Sequence, residues 1–367
     1  MNVAVVNLTS GGLSGGYAKY LRRLIPLMRQ DRRISRLDVF LPEGITLPEA
    51  GDVHRWPAGS GVAGLGALRR AVAASSPDAV FFPTARRIEC GGRPTVVMVR
   101  NMEPLTVPFG GNTWREALRN VARARAARSA SRAATRVIAV SRHVREFVIE
   151  RWRIPSERVG LVYHGTDAPD RIVPVAPSGQ PWPPRFLFTA GSIRPARGLE
   201  DVIRAMPLLR SRGETVPLVI AGRADAGSRH YERRMHRLVD DLRLHDAVTW
   251  AGQLGEREMA WAYERCAAFV VTSRAEACPN VALEALSHGA AIVSTSQAPM
   301  PEFFKSAAAY YPPEDARVLA ARILEVLGQA DAMAEDRARV ARARAAKFTW
   351  QQTADDTVRQ LALAVSS

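Results

Sequence analysis

Cysteine is scarce in this sequence. Cys90, Cys266 and Cys278 are the three in 367 residues and have no close-paired spacing. That excludes a disulfide framework or cysteine-built metal centre and makes a reducing compartment the expectation. Long apolar runs are missing too, with none near the ~20 residues a membrane-spanning helix needs. No charged lead-in or cleavage site precedes Val3-Ala4-Val5-Val6, so no signal peptide is expected and the expected location is the cytoplasm. Aromatic residues are 7% and fall mostly in strand-like positions, which argues against a stacking platform for nucleic acid. Lysine is limited to Lys19, Lys305 and Lys347, so the net charge of +15 is carried almost wholly by arginine. A balance of this kind favours anionic partners such as nucleotide phosphates or phospholipid surfaces.

What is present is alternation. Buried-strand patterns at Asn2–Asn7, Leu37–Leu41, Ala79–Phe82, Thr95–Val99, Arg136–Val140 and Val159–Tyr163 are separated by helical stretches, which predicts a doubly wound α/β domain with a parallel sheet. The pattern lapses over 168–185, where Pro169, Pro174, Pro177, Pro181, Pro183 and Pro184 predict a stiff linker. A second series follows, with strands expected at Phe186–Thr189, Leu218–Ile220, Val248–Trp250, Phe269–Val271, Ala291–Val293 and Ala308–Tyr311. The reading is two Rossmann-like domains, 1–167 and 186–347, joined by the 168–185 linker and followed by a C-terminal helical segment, 348–367. A ligand site is expected in a cleft between them, beyond the carboxyl ends of strands.

The most informative stretch is 272–289. After Phe269-Val270-Val271, Pro279 fits the first helical position and Gly289 the left-handed position that ends a helix. The amides of Asn280 and Val281 then form a seat for phosphate. Glu276 and Glu284 flank that seat, and their natural partners are hydroxyl groups. Phosphate plus polyol points to a nucleotide sugar. Two glycine turns follow first strands: Thr9 to Gly16, including Gly15 and Gly16, and Gly191 to Gly198, which also carries Arg194 and Arg197. Guanidinium forks suit a diphosphate. In the first domain, Arg100-Asn101 and His143 follow strands and are the acceptor-side candidates.

These motifs, with Tyr163-His164-Gly165-Thr166-Asp167 and Phe348-Thr349-Trp350, together resemble the retaining glycosyltransferases of family 4, over nearly the whole chain. The resemblance implies a GT-B fold: two Rossmann-like domains with parallel sheets facing across a cleft, the C-terminal helix crossing back to the first. It implies transfer of a sugar from a nucleoside diphosphate sugar, UDP- or GDP-linked, to a hydroxyl acceptor, with retention and without a bound metal or cofactor. Glu276 would hold donor sugar hydroxyls and Glu284 the ribose. Gly15, Gly16, Ser192, Gly222, Pro279, Asn280 and Val281 would complete the donor site. Two positions depart from the family pattern. The usual clamp arginine is Ser192 here, with Arg194 two residues on, and the usual His-Asp pair reads Arg100-Asn101. A nucleotide-sugar epimerase or hydrolase is the competing class, disfavoured by few His and carboxylates after first-domain strands; a nucleic-acid binder is motivated by charge alone. Finally, 114–136 holds seven arginines and one glutamate with no clean apolar stripe. It reads either as a solvated basic helix or as a peripheral contact for anionic lipid at the inner face of a membrane.

Overall fold

The computed structural model of the protein describes residues 1–9, 15–107, 110–179 and 181–367. Among the described residues, thirteen strands form two wholly parallel sheets. The first has β1 (Asn2–Val6), β2 (Arg36–Pro42), β3 (His54–Trp56), β4 (Ala79–Phe82), β5 (Thr95–Val99), β6 (Arg136–Ala139) and β7 (Val159–Leu161), in spatial order β3-β2-β1-β4-β5-β6-β7. The second has β8 (Leu187–Ala190), β9 (Leu218–Ala221), β10 (Val248–Gly252), β11 (Ala268–Val271), β12 (Ile292–Thr295) and β13 (Ala308–Tyr311), in order β10-β9-β8-β11-β12-β13. Central strands such as Ala79-Val80-Phe81-Phe82 are buried at every residue. That is why they read as continuous apolar runs: helices cover both faces of a parallel sheet.

The helices are α1 (Gly15–Gln30), α2 (Gly61–Ala74), α3 (Glu103–Thr106), α4 (Trp114–Ala133), α5 (Arg142–Trp152), α6 (Glu200–Arg210) and α7 (Arg229–Asp241), followed by α8 (Glu256–Arg265), α9 (Asn280–Ser287), α10 (Met300–Phe304), α11 (Ala316–Leu327), α12 (Asp331–Ala345) and α13 (Trp350–Val365). Among the described residues, no helix is long and apolar enough to cross a membrane.

The chain divides into two compact units. The first comprises Met1–Met102, Val121–Gly165 and Phe348–Ser367; the second comprises Glu103–Asn120 and Thr166–Lys347. The division falls inside α4. In the first unit, α13 packs on α1, β4, β5 and β6. Thr349 caps it by accepting the Gln352 amide at 3.1 Å, and the Thr353 hydroxyl donates to the Tyr163 carbonyl at 2.8 Å. The proline-rich 168–185 stretch lies with the second unit. Pro169–Arg171 forms a short 3-10 turn, Val175 donates its amide to the Arg257 carbonyl at 3.1 Å, and the Trp182 ring packs edge-on to Trp261, centroids 5.4 Å apart.

Each sheet has a point where the strand order reverses, between β1 and β4 in the first and between β8 and β11 in the second. Loops leaving such neighbours diverge and open a crevice beyond their carboxyl ends. In the second unit that crevice is a cavity whose lining includes Gly191, Ser192, Arg197, Ser273, Glu276, Pro279 and Val281.

Candidate functional site

Two loops build the second unit's crevice. The first leaves β8 through Gly191, whose φ of +134° is open to glycine and strained for other residues. A side chain there would also meet the Arg197 guanidinium at 3.0 Å, so the missing Cβ lets that group lie over the turn. Gly222, expected among the donor-binding residues, stands behind this turn: a Cβ on it would meet the Gly191 carbonyl oxygen. Its place in the site is as the backing that lets the Gly191 turn sit close to the end of β9.

The second loop leaves β11 and runs from Thr272 to Pro279 into α9. The helix begins one residue later than the sequence suggests. Pro279 has ψ 64°, outside the helical region, and precedes Asn280 as the cap residue. The Asn280 amide donates to the Cys278 carbonyl at 2.9 Å, closing a tight turn, so this amide of the expected phosphate seat already has an internal partner. The Cys278 thiol lies 3.2 Å from the Asn280 side-chain oxygen. Gly289 closes α9 with φ +79°, in the left-handed region.

The loops are laced together. The Thr272 hydroxyl donates to the Arg197 carbonyl at 2.6 Å, and the Arg274 amide to the Ala196 carbonyl at 2.8 Å. Between them sits the reactive-looking cluster. Arg197 Nη1 is 2.5 Å from Glu276 Oε1 and 3.3 Å from Ser273 Oγ, and Ser273 Oγ donates to the same carboxylate oxygen at 3.2 Å. Arg194 is paired elsewhere, its Nη1 2.7 Å from Glu103 Oε2. Glu103 is buried. Burial holds its carboxyl above the usual glutamate value, with Arg194 and then Arg197 drawing it partway back. Glu284, one turn inside α9, accepts from the Tyr263 hydroxyl at 3.2 Å; burial and then the neighbouring Glu284 raise that phenol well above its ordinary value.

Beneath the cluster lies a second ion pair that anchors it. Arg274 grips Asp201 with two bonds of 2.6 Å each. The same carboxylate accepts from the Tyr311 hydroxyl and from the Glu314 amide, both at 3.0 Å. Asp201 is 1% exposed, so its charge is tolerated only because both its oxygens are held by donors. Arg274 stands two residues before Glu276, and Asp201 three after Gly198, so this pair ties both site loops to α6 and β13.

In the first unit, Gly15 and Gly16 open α1. Residues 10–14 of the expected glycine loop lie outside the described residues. Arg100 lies over the Tyr17 and Tyr20 rings, 4.4 and 5.0 Å from their centroids, with Nη2 3.4 Å from the Gly16 carbonyl. Arg100 and Gly16 are thus brought together. Asn101 is exposed, and His143 lies in the first turn of α5, which Ser141 caps. Among the described residues no group of three His, Cys, Asp or Glu side chains is placed to hold a metal ion.

Sequence reasoning missed Glu103 as the partner of Arg194, Tyr263 as the partner of Glu284, and the Asp201–Arg274 anchor. Only Arg274 had a local signal, being an arginine inside the 272–289 motif.

Two wholly parallel Rossmann-like units, one with an arginine–carboxylate crevice beside a helix start, are the two-domain make-up of the GT-B fold. Residues 14–169 match the family described as Glycosyltransferase Family 4, and residues 176–346 match Glycosyl transferases group 1. The chain belongs to the family 4 glycosyltransferases. It is 31% identical to a glycogen synthase of Mycobacterium tuberculosis over 180 residues, 47% of this chain and 41% of the relative. It is 28% identical to a D-inositol 3-phosphate glycosyltransferase of Stackebrandtia nassauensis over 160 residues, 41% of this chain and 36% of the relative. These alignments span under half of those relatives' length. Among solved structures, HepE of Anabaena in complex with UDP and glucose superposes with a TM-score of 0.76 at 18% identity, covering 99% of both chains. A sucrose-phosphate synthase of Thermosynechococcus elongatus does so with 0.76 at 19% identity, covering 99% of this chain and all of that one.

Proposed function

We propose that this protein is a retaining glycosyltransferase that moves a sugar from a UDP- or GDP-sugar to a hydroxyl group of a glycan, a lipid-linked saccharide or a small natural product. The observation that carries the reading is the Arg197–Ser273–Glu276 cluster at the strand-order reversal of the second sheet, beside the start of α9. The complex of HepE with UDP and glucose supports a uridine donor.

Both arginines are held by carboxylates, Arg197 by Glu276 and Arg194 by Glu103. A diphosphate entering the crevice offers each guanidinium a stronger partner than a single carboxylate. Arg197 turns to it, and Glu276 is released to accept from the donor sugar's hydroxyls. Glu284, oriented by Tyr263, takes the ribose. As the bond from the anomeric carbon to the diphosphate oxygen breaks, Arg194, Arg197 and the Val281 amide in the first turn of α9 stabilise the charge on the leaving group. The acceptor oxygen bonds to the same face of the anomeric carbon, and its proton passes to the departing phosphate. No step calls on a metal.

The test is to screen UDP-, GDP-, ADP- and dTDP-sugars for thermal stabilisation and slow hydrolysis, then to read the product's anomeric configuration by NMR. No stabilisation by any of them would remove the donor site; an inverted product would remove the retaining mechanism. Arg197→Ala is expected to lower turnover about 100-fold or more, and an unchanged rate would take Arg197 out of the clamp.

A further inference from the structure

The sequence of α4 presents six arginines and one glutamate in 20 residues, spread so widely that no apolar stripe stands out. The structure separates the two sides of this helix. Ala117, Asn120 and Ser131 are buried, with Val121 and Ala124 half-buried on the same arc. At 3.6 residues per turn, the opposite arc carries Trp114, Leu118 and Ala122 along its first two turns. Arg115 and Arg119 flank that stripe on one side, and Arg125 and Arg132 extend it toward the helix end. All of these outward residues are exposed. An inward seam of small residues thus hides the outward stripe from any reading that looks for a single apolar face.

Trp114 is 68% and Leu118 58% exposed, one turn apart. Among the described residues Trp114 is the one exposed aromatic side chain. The Arg115 guanidinium sits 5.3 Å from its ring centroid, the arrangement of an aromatic at the boundary between an apolar layer and charge. Thr113 caps the helix start by accepting the Glu116 amide at 3.3 Å, and the one glutamate lies 3.4 Å from Arg119, on the partly buried side. The outward face therefore has apolar side chains at one end and arginines along its length, of which Arg119 also reaches Glu116.

We propose that the outward face of α4 docks this protein on an anionic membrane surface. Trp114 and Leu118 enter the headgroup layer, and the arginines pair with lipid phosphates. An aliphatic residue beside a single aromatic suits an interfacial helix. A nucleic-acid groove would instead present several stacking rings, so the two surfaces are distinguishable by what they bind.

The test is sedimentation of the full chain with phosphatidylcholine vesicles, with and without phosphatidylglycerol, at low and high salt. The expected result is pelleting with phosphatidylglycerol vesicles at low salt and release at high salt. Arg115→Gln/Arg119→Gln/Arg125→Gln should weaken partitioning on the order of 100-fold. Trp114→Ala/Leu118→Ser should abolish the tryptophan fluorescence shift that vesicles induce. Both variants are expected to keep the wild-type thermal midpoint and nucleotide-sugar stabilisation, so that loss of binding is not loss of fold; should one fail to fold, the other carries the test. Absence of pelleting on anionic vesicles at low salt would overturn the proposal. So would folded variants that pellet like the wild type, or tighter binding to duplex DNA than to the vesicles.

Discussion

Arg274 and Asp201 show how much of a site can rest on a pair that does not face the ligand. Their two 2.6 Å bonds hold the loop carrying Glu276 against the helix that follows Arg197. Removing one partner leaves a buried charge unmatched, so Arg274→Ala is expected to destabilise the protein by about 3–5 kcal/mol, read as a lower denaturation midpoint in urea. A fall under 1 kcal/mol (roughly the worth of a surface pair) would mean the pair opens freely to solvent. Glu103 makes a pH prediction. Because burial raises its pKa in the fold, the folded protein holds this proton more tightly than the unfolded chain does. Its contribution to stability is therefore greatest in acid and is lost as pH rises from the ordinary glutamate value through the raised one. Glu103→Gln should flatten that limb of the stability–pH curve, and an unaltered slope would assign it to another group. The sequence pointed to Arg197 and Glu276 because each sits in a local motif. It was silent on the pairs Arg194–Glu103, Tyr263–Glu284 and Arg274–Asp201, because their members are 91, 21 and 73 residues apart and only the sheet order brings them together.

Among the elements, strands buried on both faces were legible and the exposed edge was not. All six strands of the second sheet were expected within a residue or two of their ends, since parallel strands under helices are nearly all apolar. The missed strand is β3, His54-Arg55-Trp56, where two of three residues are exposed and no apolar run exists to be read. α4 was legible as basic but not as two-faced, because burial, which no composition records, decides which alanines turn inward. The entry into α13 offers a sharper check. A Cβ on Gly165 would meet the Trp350 amide nitrogen, with the Thr349 carbonyl carbon at 2.6 Å, and backbone cannot swing aside as a side-chain tip can. Gly165→Ala is therefore expected to cost on the order of 1–3 kcal/mol and to quicken protease cleavage near Phe348. Gly59→Ala, where a Cβ meets nothing within 4 Å, is the matched control. Equal melting of the two variants would show that the α13 turn adapts.

The whole molecule consists of two units of different make-up in the chain: the second takes one short piece, Glu103–Asn120, and one long one, and the first takes three. Every residue lining the crevice belongs to the second unit. On the proposed donor site, scanning calorimetry with UDP or GDP at about 100 times its dissociation constant should raise the second unit's transition by an amount equivalent to about 2.7 kcal/mol. The first unit's transition should move less. A lone transition shifting as one would show that the units unfold together.

The three-piece build of the first unit also has a consequence for synthesis. Phe348–Ser367 belong to that unit, yet the whole of Thr166–Lys347 is made before them. At the usual pace of translation this interval lasts roughly 10–40 s. Throughout it, the surface of α1, β4, β5 and β6 that later receives Val358 and Leu361, both fully buried in the finished protein, faces water while the second unit is still being made. The nascent chain thus completes its later unit first, and its earlier one waits, with an open apolar flank, for the final helix to leave the ribosome.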